Sequence, residues 1–385
     1  MNALSTRLNT FAKQLNTDIS SVCIVFLSVF AVFCHYKVTN ILLLVCSIWI
    51  LLIKGSVRRI FNKKGPFFAF AFLIMTVITA LYYKNHKGLS LSFIFIMVAI
   101  IGFHLQNVIT KPLFEWMLSL IQFACIIIFI GCIINKLMHI NEPPFRIQLW
   151  FYNCNYLGSL MAGSALVCAY KQLTGKSKTI INAVLFLICC MVIYLSGSMF
   201  AIIELLVAVT VLLVLSENYK LLGIYLSICL IGLMVLLSFP QLMPRLSEST
   251  VTTDNRILIW KDTIRNIPDA FLFGKGFFTY KILSGTRYPS SHAHNFALDS
   301  ILSYGIVGTL ILGVFFITFY RNVFLCNQKL PQNRINCFIL ALSAGVLLHA
   351  TTDMTMLWSQ TSLFYAIILS GIGADQRDLE SYNNN

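Results

Sequence analysis

The sequence predicts an all-α integral membrane protein with about 12 transmembrane helices. Apolar side chains make up 58% of its 385 residues, only 11% of the residues are charged, and the mean hydropathy is +0.81. Soluble domains contain about 45–50% apolar residues, so this composition suits lipid rather than water. The apolar runs are continuous over about 15 residues or more, whereas the strands of a membrane barrel alternate apolar and polar residues.

Twelve apolar runs, each bounded by charged or turn-forming residues, are the predicted spans. A hydrocarbon core about 30 Å thick requires about 20 helical residues, so the runs fill the chain and leave no room for a separate soluble domain. A tight turn is expected at Ser196-Gly197-Ser198, which alone separates two of the runs. The runs cover residues 19–36, 38–53, 66–83, 89–105, 114–135, 150–170, 180–196, 199–216, 221–239, 295–320, 337–350 and 354–373.

The distribution of cations predicts the orientation, because short cytoplasmic loops are enriched in Lys and Arg. Alternate loops on one side hold 16 of the 28 cations, and the short loops opposite hold five. Both termini are therefore expected in the cytoplasm, as tails of residues 1–18 and 374–385. Spans occupy residues 19–239 and 295–373, and residues 240–294 form one long extracytoplasmic (periplasmic) loop. The 16 cations are Arg7, Lys13, Lys54, Arg58, Arg59, Lys63, Lys64, Lys111, Lys171, Lys176, Lys178, Lys220, Arg321, Lys329, Arg334 and Arg377.

The long outer loop is expected to contain an amphipathic helix from Asp254 to Ile267, which Pro268 ends. Trp260 is expected to anchor this helix at the membrane–water boundary. The loop holds seven cations and four acids, and this surplus of positive charge is available to anionic ligands. The apolar face of the helix is predicted from Ile257, Trp260, Ile264 and Ile267.

Composition also excludes several classes of protein. The net charge of +14 comes from short clusters between apolar runs, so membrane orientation explains it and no nucleic-acid partner is expected. The 12 cysteines lie in or near apolar runs, and we interpret them as packing residues rather than a disulfide framework. The first run lacks a small-residue cleavage site, so no signal peptide is expected to be removed.

A group of polar residues stands at the entrance of the tenth run. His292, His294 and Asn295 precede the run, and Gly305 and Gly308 lie within it. Glycines three residues apart share a helix face and allow a neighbouring helix to approach closely, which would fix the histidine against the bundle. Because this spacing is common in membrane helices, packing alone also explains the glycines.

This group resembles a motif of the O-antigen ligase and O-antigen polymerase superfamily of bacterial envelopes. The family pattern is His, then an amide or Ser, nine residues, and Gly-x-x-Gly. His294, Asn295, Gly305 and Gly308 match it in full.

Two further motifs and the predicted topology extend the resemblance, whose detailed matches lie within residues 146–310. Arg256-x-x-x-Trp260, with the Gly274-Lys275-Gly276 turn, looks like the outer-loop signature of the family. The run from Asn153 through Asn155 to Gly158 looks like its Asn-x-Asn-x-x-Gly helix start. A long outer loop before the helix that carries the histidine is also the layout of the family.

The resemblance implies a GT-C-like bundle in the bacterial inner membrane, acting as a metal-independent glycosyltransferase without a cofactor. The donor would be a glycan on undecaprenyl pyrophosphate, the acceptor a glycan or lipid A-core, and a chain-length regulator is a further expected partner. Guanidinium groups stabilise the charge that develops on a pyrophosphate leaving group. Histidine titrates near neutral pH and suits the role of proton acceptor. Arg256 and His294 are the catalytic candidates, with Arg146 as a second cation.

The remaining candidates are substrate contacts, and each has a solvated surface residue as its alternative interpretation. A metal site at the two neighbouring histidines is not expected, because neither a cysteine nor a His-x-x-x-His helix supplies further ligands. The candidates for substrate binding are Arg146, Asn295, His292, Lys275, Arg287, Asn153 and Asn155.

Five ionisable residues fall within the predicted bilayer, where charge is costly and function is the default expectation. They are Glu115, Glu204, Asp299, His349 and Asp353. Asp299 follows His294 by five residues in the same predicted helix and is expected to tune it. Glu115 and Asp353 are expected near an interface, where solvation alone would explain them.

One departure from the family pattern affects the choice between functions. The family commonly has an arginine after the small residues of the 196–198 turn, where this chain has Met199. Its absence favours a surface-polysaccharide polymerase over the ligase that transfers polymer to lipid A-core. A transporter or flippase is a third possibility, but the inverted repeats and broken midplane helices typical of transporters are not visible.

Overall fold

The computed structural model describes residues 2–140, 146–175, 179–242, 249–329 and 334–383, and these residues form helices and connecting turns without a strand. The all-helical class is therefore confirmed. The helices are α1 (Asn2–Gln14), α2 (Ile19–Phe33), α3 (Tyr36–Leu52), α4 (Ser56–Phe61), α5 (Lys64–Tyr82), α6 (His86–Val108), α7 (Lys111–Met138), α8 (Cys154–Thr174), α9 (Thr179–Ser196), α10 (Met199–Leu215), α11 (Tyr219–Ser238), α12 (Ser249–Asn266), α13 (Phe296–Lys329), α14 (Ile335–His349), α15 (Ser359–Leu369) and α16 (Ile372–Asn383).

Most apolar runs of the sequence coincide with helices, except that the run 354–373 is divided among a 3-10 turn, α15 and the start of α16. Polar residues between the runs cap several of the helices. Asp18 accepts a hydrogen bond from Ser21 N at the start of α2, and Thr110 Oγ1 accepts one from Leu113 N at the start of α7. Such caps satisfy backbone N–H groups that have no partner within the helix. The positions of the helices therefore follow directly from the pattern of the sequence.

Six helices in the described part of the chain are long and apolar enough to cross a membrane, namely α5, α6, α7, α9, α11 and α13. A seventh span results if α1 and α2, which are bent by 82° relative to each other, are counted as one. Three shorter helices, α3, α10 and α14, are also apolar. These lengths and compositions support an integral membrane protein.

Small residues allow the central helices to approach closely. α8 packs against α9 and α10, and α10 packs against α14. A Cβ added to Gly158 on α8 would lie 2.7 Å from Ser198 Cβ, just before α10, and one added to Gly163 would lie 2.4 Å from the Phe364 ring. These contacts hold the start of α8 beside the turn between α9 and α10.

Helix α13 is broken at Gly305, whose φ of 64° and ψ of −175° are not helical. The residues after the break find backbone partners in the segment between α12 and α13: Ile306 N donates to Phe271 O at 2.7 Å, and Val307 N donates to Leu272 O at 3.1 Å. The expectation that Gly305 lies on a helix face against another helix is therefore wrong, because loop backbone occupies that side. Gly308 does lie against α5, where an added Cβ would be 2.2 Å from Met75 Cε.

The segment between α11 and α13 contains the expected helix, and two residues of its predicted apolar face, Trp260 and Ile267, pack inward, but the buried face is shifted relative to the prediction. α12 begins five residues before Asp254 and packs Ile259 against the first part of α13, whereas Ile257 and Ile264 remain exposed. Trp260 is half-buried beside Ile259. The sequence pattern missed this orientation because α12 also buries the polar residue Asp262, which is only 2% exposed.

Candidate active site

Three separate parts of the chain meet beside the N-terminus of α13. They are the segment 290–295, the loop 350–358 between α14 and α15, and the start of α8. Backbone hydrogen bonds join the first two, because Phe296 N donates to Ala350 O at 2.8 Å. The Asn295 side chain adds a second connection by donating to Thr351 O at 3.0 Å.

The carboxylate of Asp353 lies where these three segments make contact. Its Oδ1 lies 3.1 Å from His292 Nε2 and 3.1 Å from His294 Nδ1, and it accepts a hydrogen bond from Met354 N at 2.9 Å. Its Oδ2 accepts one from Asn155 Nδ2 at 2.7 Å. Asp353 is only 2% exposed, so these four contacts replace the water that burial removes.

The same hydrogen bonds control the charge of Asp353. Burial alone raises the pKa of this carboxyl, but hydrogen bonds and positive charge from His292 and His294 hold the pKa well below its usual range. Asp353 is therefore an anion that fixes both imidazoles. In the neutral form of His294, a carboxylate that accepts at Nδ1 places the proton on Nδ1 and leaves Nε2 as an acceptor.

Asn155 connects this centre to an arginine. Its Oδ1 accepts a hydrogen bond from Arg146 Nη2 at 2.6 Å, and Arg146 Nε donates to Ser196 O at 3.1 Å. Gly197, with a positive φ of 61°, lies directly against this side chain, where an added Cβ would be 3.2 Å from Arg146 Nε. The guanidinium is thus held at the turn between α9 and α10.

The backbone around His294 is also constrained. His294 has a φ of 51°, which is uncommon for a residue other than glycine and is found preferentially at functional sites. Asp299 Oδ1 accepts a hydrogen bond from Ala293 N at 2.8 Å, and Asn295 Oδ1 accepts one from Leu298 N at 3.1 Å. Asp299 thus holds the peptide between the two histidines, and Asn295 caps the first turn of α13.

Arg256 belongs to a second chain of contacts, formed by aromatic and ionisable side chains. Its guanidinium carbon is 5.0 Å from the centroid of the Phe200 ring, which in turn lies 6.0 Å from the ring of His349. His349 Nδ1 is 2.6 Å from Glu204 Oε2, and both of these side chains are buried. The carbonyl of His349 accepts a hydrogen bond from Asp353 N at 2.9 Å. The contacts of Arg256 and those of Asp353 are therefore connected at the end of α14.

Other predicted contacts lie elsewhere or have local roles. Lys275 Nζ lies 5.5 Å from the centroid of the Tyr83 ring, and Arg287 Nε donates to Asp262 Oδ1 at 2.7 Å. Among the described residues, no hydrogen bond joins either cation to Asp353. Asn153 caps α8, because its Oδ1 accepts a hydrogen bond from Asn155 N at 2.8 Å.

Asp353 is buried beside both histidines, so the expectation that it is solvated at an interface is wrong. It lies 59 residues after His294, so its proximity depends on the fold of α13 and α14. The argument that no further metal ligand lies near the histidines is also overturned, because ligand atoms of His292, His294 and Asp353 all lie within 4.8 Å of one another. Glu115 accepts a hydrogen bond from Tyr170 OH at 3.1 Å.

The fold and this cluster define a membrane protein with an imidazole fixed by a buried carboxylate, which Asn155 connects to an arginine. Residues 183–313 match the family model described as O-antigen ligase. This match confirms the resemblance to the O-antigen ligase and polymerase superfamily, and supports an enzyme of that type in the membrane. The matched part includes Arg256, His292 and His294, while Arg146 and Asp353 lie outside it. No curated protein matches the chain.

Proposed function

We propose that the protein is a surface-polysaccharide polymerase that transfers a glycan from undecaprenyl pyrophosphate to an acceptor sugar. The observation that carries this proposal is the contact of His294 Nδ1 with the buried carboxylate of Asp353, 3.1 Å away. A carboxylate placed in this way fixes the tautomer and the orientation of an imidazole that acts as a base. The family match adds that the chemistry concerns glycans.

The proposed reaction needs no metal ion and no cofactor. The acceptor hydroxyl attacks the anomeric carbon of the donor sugar, and its proton passes to Nε2 of His294. The bond between the anomeric carbon and the pyrophosphate oxygen breaks with its electron pair, so negative charge develops on the leaving group. His294 is about one-quarter exposed, at 27% of its side-chain surface, which leaves room for the acceptor.

Arginine side chains are the proposed partners of the leaving group. Arg256 is held over Phe200, and Arg146 is held against Gly197. Both positions are at the turn between α9 and α10, where the family arginine is replaced by Met199. Two guanidinium groups here would stabilise the pyrophosphate charge in place of that arginine.

An apolar cavity supports a lipid-linked donor. It has a volume of about 250 Å³ and runs between α5, α6, α13 and α15. Phe296 and Met354, which are sequence neighbours of Asn295 and Asp353, are among its lining residues. A segment of isoprenoid chain would bury hydrocarbon there while its pyrophosphate reaches the histidine cluster.

The proposal includes the topology that the sequence predicts. The chain would cross the bacterial inner membrane about 12 times, as a GT-C-like bundle with both termini in the cytoplasm. The segment 240–294 and the histidine cluster would lie on the outer face. A chain-length regulator is a further proposed partner.

A deletion strain distinguishes the polymerase from the ligase. If the protein is a polymerase, gels of envelope glycans will lose the ladder of repeats and retain a single repeat on the core. If it is an O-antigen ligase, every repeat attached to lipid A-core will disappear.

Two variants test the chemistry. His294→Ala and Arg256→Ala should insert into the membrane normally and lose most glycan transfer, by a factor of about 10² or more. Transfer is measured with purified protein, lipid-pyrophosphate glycan and acceptor. Full activity of His294→Ala would refute the role as base. If wild-type protein formed no glycosidic bond and instead moved the lipid-linked glycan across liposomes, a flippase would replace the proposed enzyme.

A further inference from the structure

Aromatic side chains form a stack that starts beside the histidine cluster and ends at the protein surface. Tyr156 follows Asn155, the residue that donates to Asp353, and its ring is 5.8 Å from that of Trp358 at an interplanar angle of 14°. The ring of Tyr152 lies on Trp358 at 4.3 Å and 27°. Tyr156 is buried, whereas Tyr152 is 55% exposed.

A fourth ring stands at the side of this stack. Tyr36, at the start of α3, is 5.8 Å from Trp358 and meets Tyr152 edge-on at 6.4 Å and 84°. The four rings come from the start of α3, the residues around the start of α8 and the loop before α15. Trp358 follows Asp353 by five residues, so the loop between α14 and α15 positions both the aromatic stack and the carboxylate.

We propose that Tyr36, Tyr152 and Trp358 form a saccharide-binding subsite that holds a sugar ring next to the reacting one. This inference rests on the proposed glycosyltransferase function and adds a substrate contact to the same site. The face of an aromatic ring is electron-rich, and the C–H groups on one face of a pyranose are electron-poor. A sugar ring therefore packs flat on an exposed tyrosine such as Tyr152.

The arrangement differs from that of an ordinary membrane-interface belt. Interface tyrosines and tryptophans are found around the perimeter, where each ring meets lipid headgroups. Here the rings lie on one another and lead inward to the hydrogen bonds of Asp353.

The first test measures binding without turnover. The probe is the free oligosaccharide repeat, released from the lipid that accumulates in a deletion strain, fluorescently labelled, and followed by equilibrium dialysis against the full-length protein. Tyr152→Ala should weaken binding about three- to tenfold, the effect of losing one aromatic stacking contact, and Tyr152→Phe should bind as wild type does. Equal binding by Tyr152→Ala and wild type would overturn the subsite.

Tyr82 offers a matched control. It is an exposed tyrosine at the end of α5, 79% exposed, and it also meets a second ring, that of Tyr83. It lies outside the stack, so Tyr82→Ala should bind the oligosaccharide with unchanged affinity. A loss in Tyr82→Ala equal to that in Tyr152→Ala would show a non-specific surface effect and would also overturn the proposal.

Steady-state transfer by Tyr152→Ala then identifies which glycan occupies the subsite. A raised KM for the acceptor alone assigns the acceptor chain, and a raised KM for the donor alone assigns the donor chain. Unchanged KM values for both substrates would overturn the subsite. His294→Ala separates the two proposals, because it should bind oligosaccharide normally and not transfer it. Transfer by His294→Ala would refute the base while leaving the binding result intact.

Discussion

Asp353 combines burial with negative charge, and both histidines depend on it. A buried carboxylate that lost its donors would be costly, and an imidazole that lost the carboxylate would be free to rotate or change tautomer. The four hydrogen bonds to Asp353 therefore fix the site more strongly than any contact of His294 alone.

Replacing Asp353 by Asn should reduce glycan transfer about 10²-fold or more, because an amide nitrogen would face one of the histidines and favour the wrong tautomer. The rate of glycan transfer by the purified variant is compared with that of Asp269→Asn, a change at an exposed carboxylate between α12 and α13. Equal activity of the two variants would remove Asp353 from the mechanism.

The proposed chemistry also predicts that chelators have no effect. Because His292 and His294 serve as donors to Asp353, incubation with EDTA should leave the transfer rate unchanged. The rate is measured before and after chelation, and after addition of Zn²⁺ or Mn²⁺. Loss of activity on chelation, restored by a metal, would instead identify His292, His294 and Asp353 as ligands.

At the scale of elements, the break in α13 places specific demands on Gly305. An added Cβ would lie 2.4 Å from Leu272 O, and the backbone conformation is one that L side chains rarely adopt. Gly305→Ala should therefore lower the free energy of unfolding by about 2 kcal/mol or more. Thermal unfolding in detergent measures the change.

Gly313→Ala is the control for this substitution. Gly313 lies in the same helix, and nothing lies within 4 Å of an added Cβ. Its unfolding midpoint should stay close to that of wild type. Equal midpoints for Gly305→Ala and Gly313→Ala would show that the break is not under steric constraint.

The ion pair between Asp262 and Arg287 predicts that the segment around it becomes less stable at acidic pH. Burial raises the pKa of Asp262, but the backbone N–H and the guanidinium of Arg287 bring the pKa below its usual value. The stabilisation is therefore complete above the unfolded pKa of about 3.9 and is lost as the pH falls through the folded pKa.

Pepsin cleavage near Arg287 should consequently increase as the pH falls below about 4. In Asp262→Asn the same region should be cleaved readily and with little dependence on pH beyond that of the protease itself. The half-exposed Arg287 limits the size of the effect through solvent screening. Identical cleavage profiles for the two proteins would contradict the anchoring role.

At the scale of the whole molecule, the proposed topology can be tested with reporter fusions. Alkaline phosphatase should be active when it is fused within residues 284–290 and inactive when it is fused at the C-terminus. A GFP fusion at the C-terminus should be fluorescent. The opposite pattern would place the histidine cluster in the cytoplasm and remove access to a donor on the outer leaflet.

The sequence predicts the helices better than the site. Continuous apolar runs and polar caps locate α2, α3 and α5 to α11, because each depends on neighbouring residues, whereas the short α4 lies between two runs and was not predicted. The partnership of Asp353 with His294 was not predictable, since it spans 59 residues and no local pattern specifies it. The break at Gly305 was missed because Gly-x-x-Gly spacing fits close helix packing equally well. The position of Arg146 against Gly197 was not predictable either, since it depends on how the turn between α9 and α10 folds.

The hydrogen bonds between residues 271–276 and the broken part of α13 affect how a substrate enters. Gly276 N donates to Ser303 O at 2.9 Å, and Ile306 N donates to Phe271 O at 2.7 Å. Backbone groups at such a break have no water to replace a lost partner inside a bilayer. Residues 271–276 therefore cannot move away from α13 without leaving these backbone groups unpaired. We expect a lipid-linked sugar to reach the histidine cluster laterally, by diffusion within the membrane leaflet.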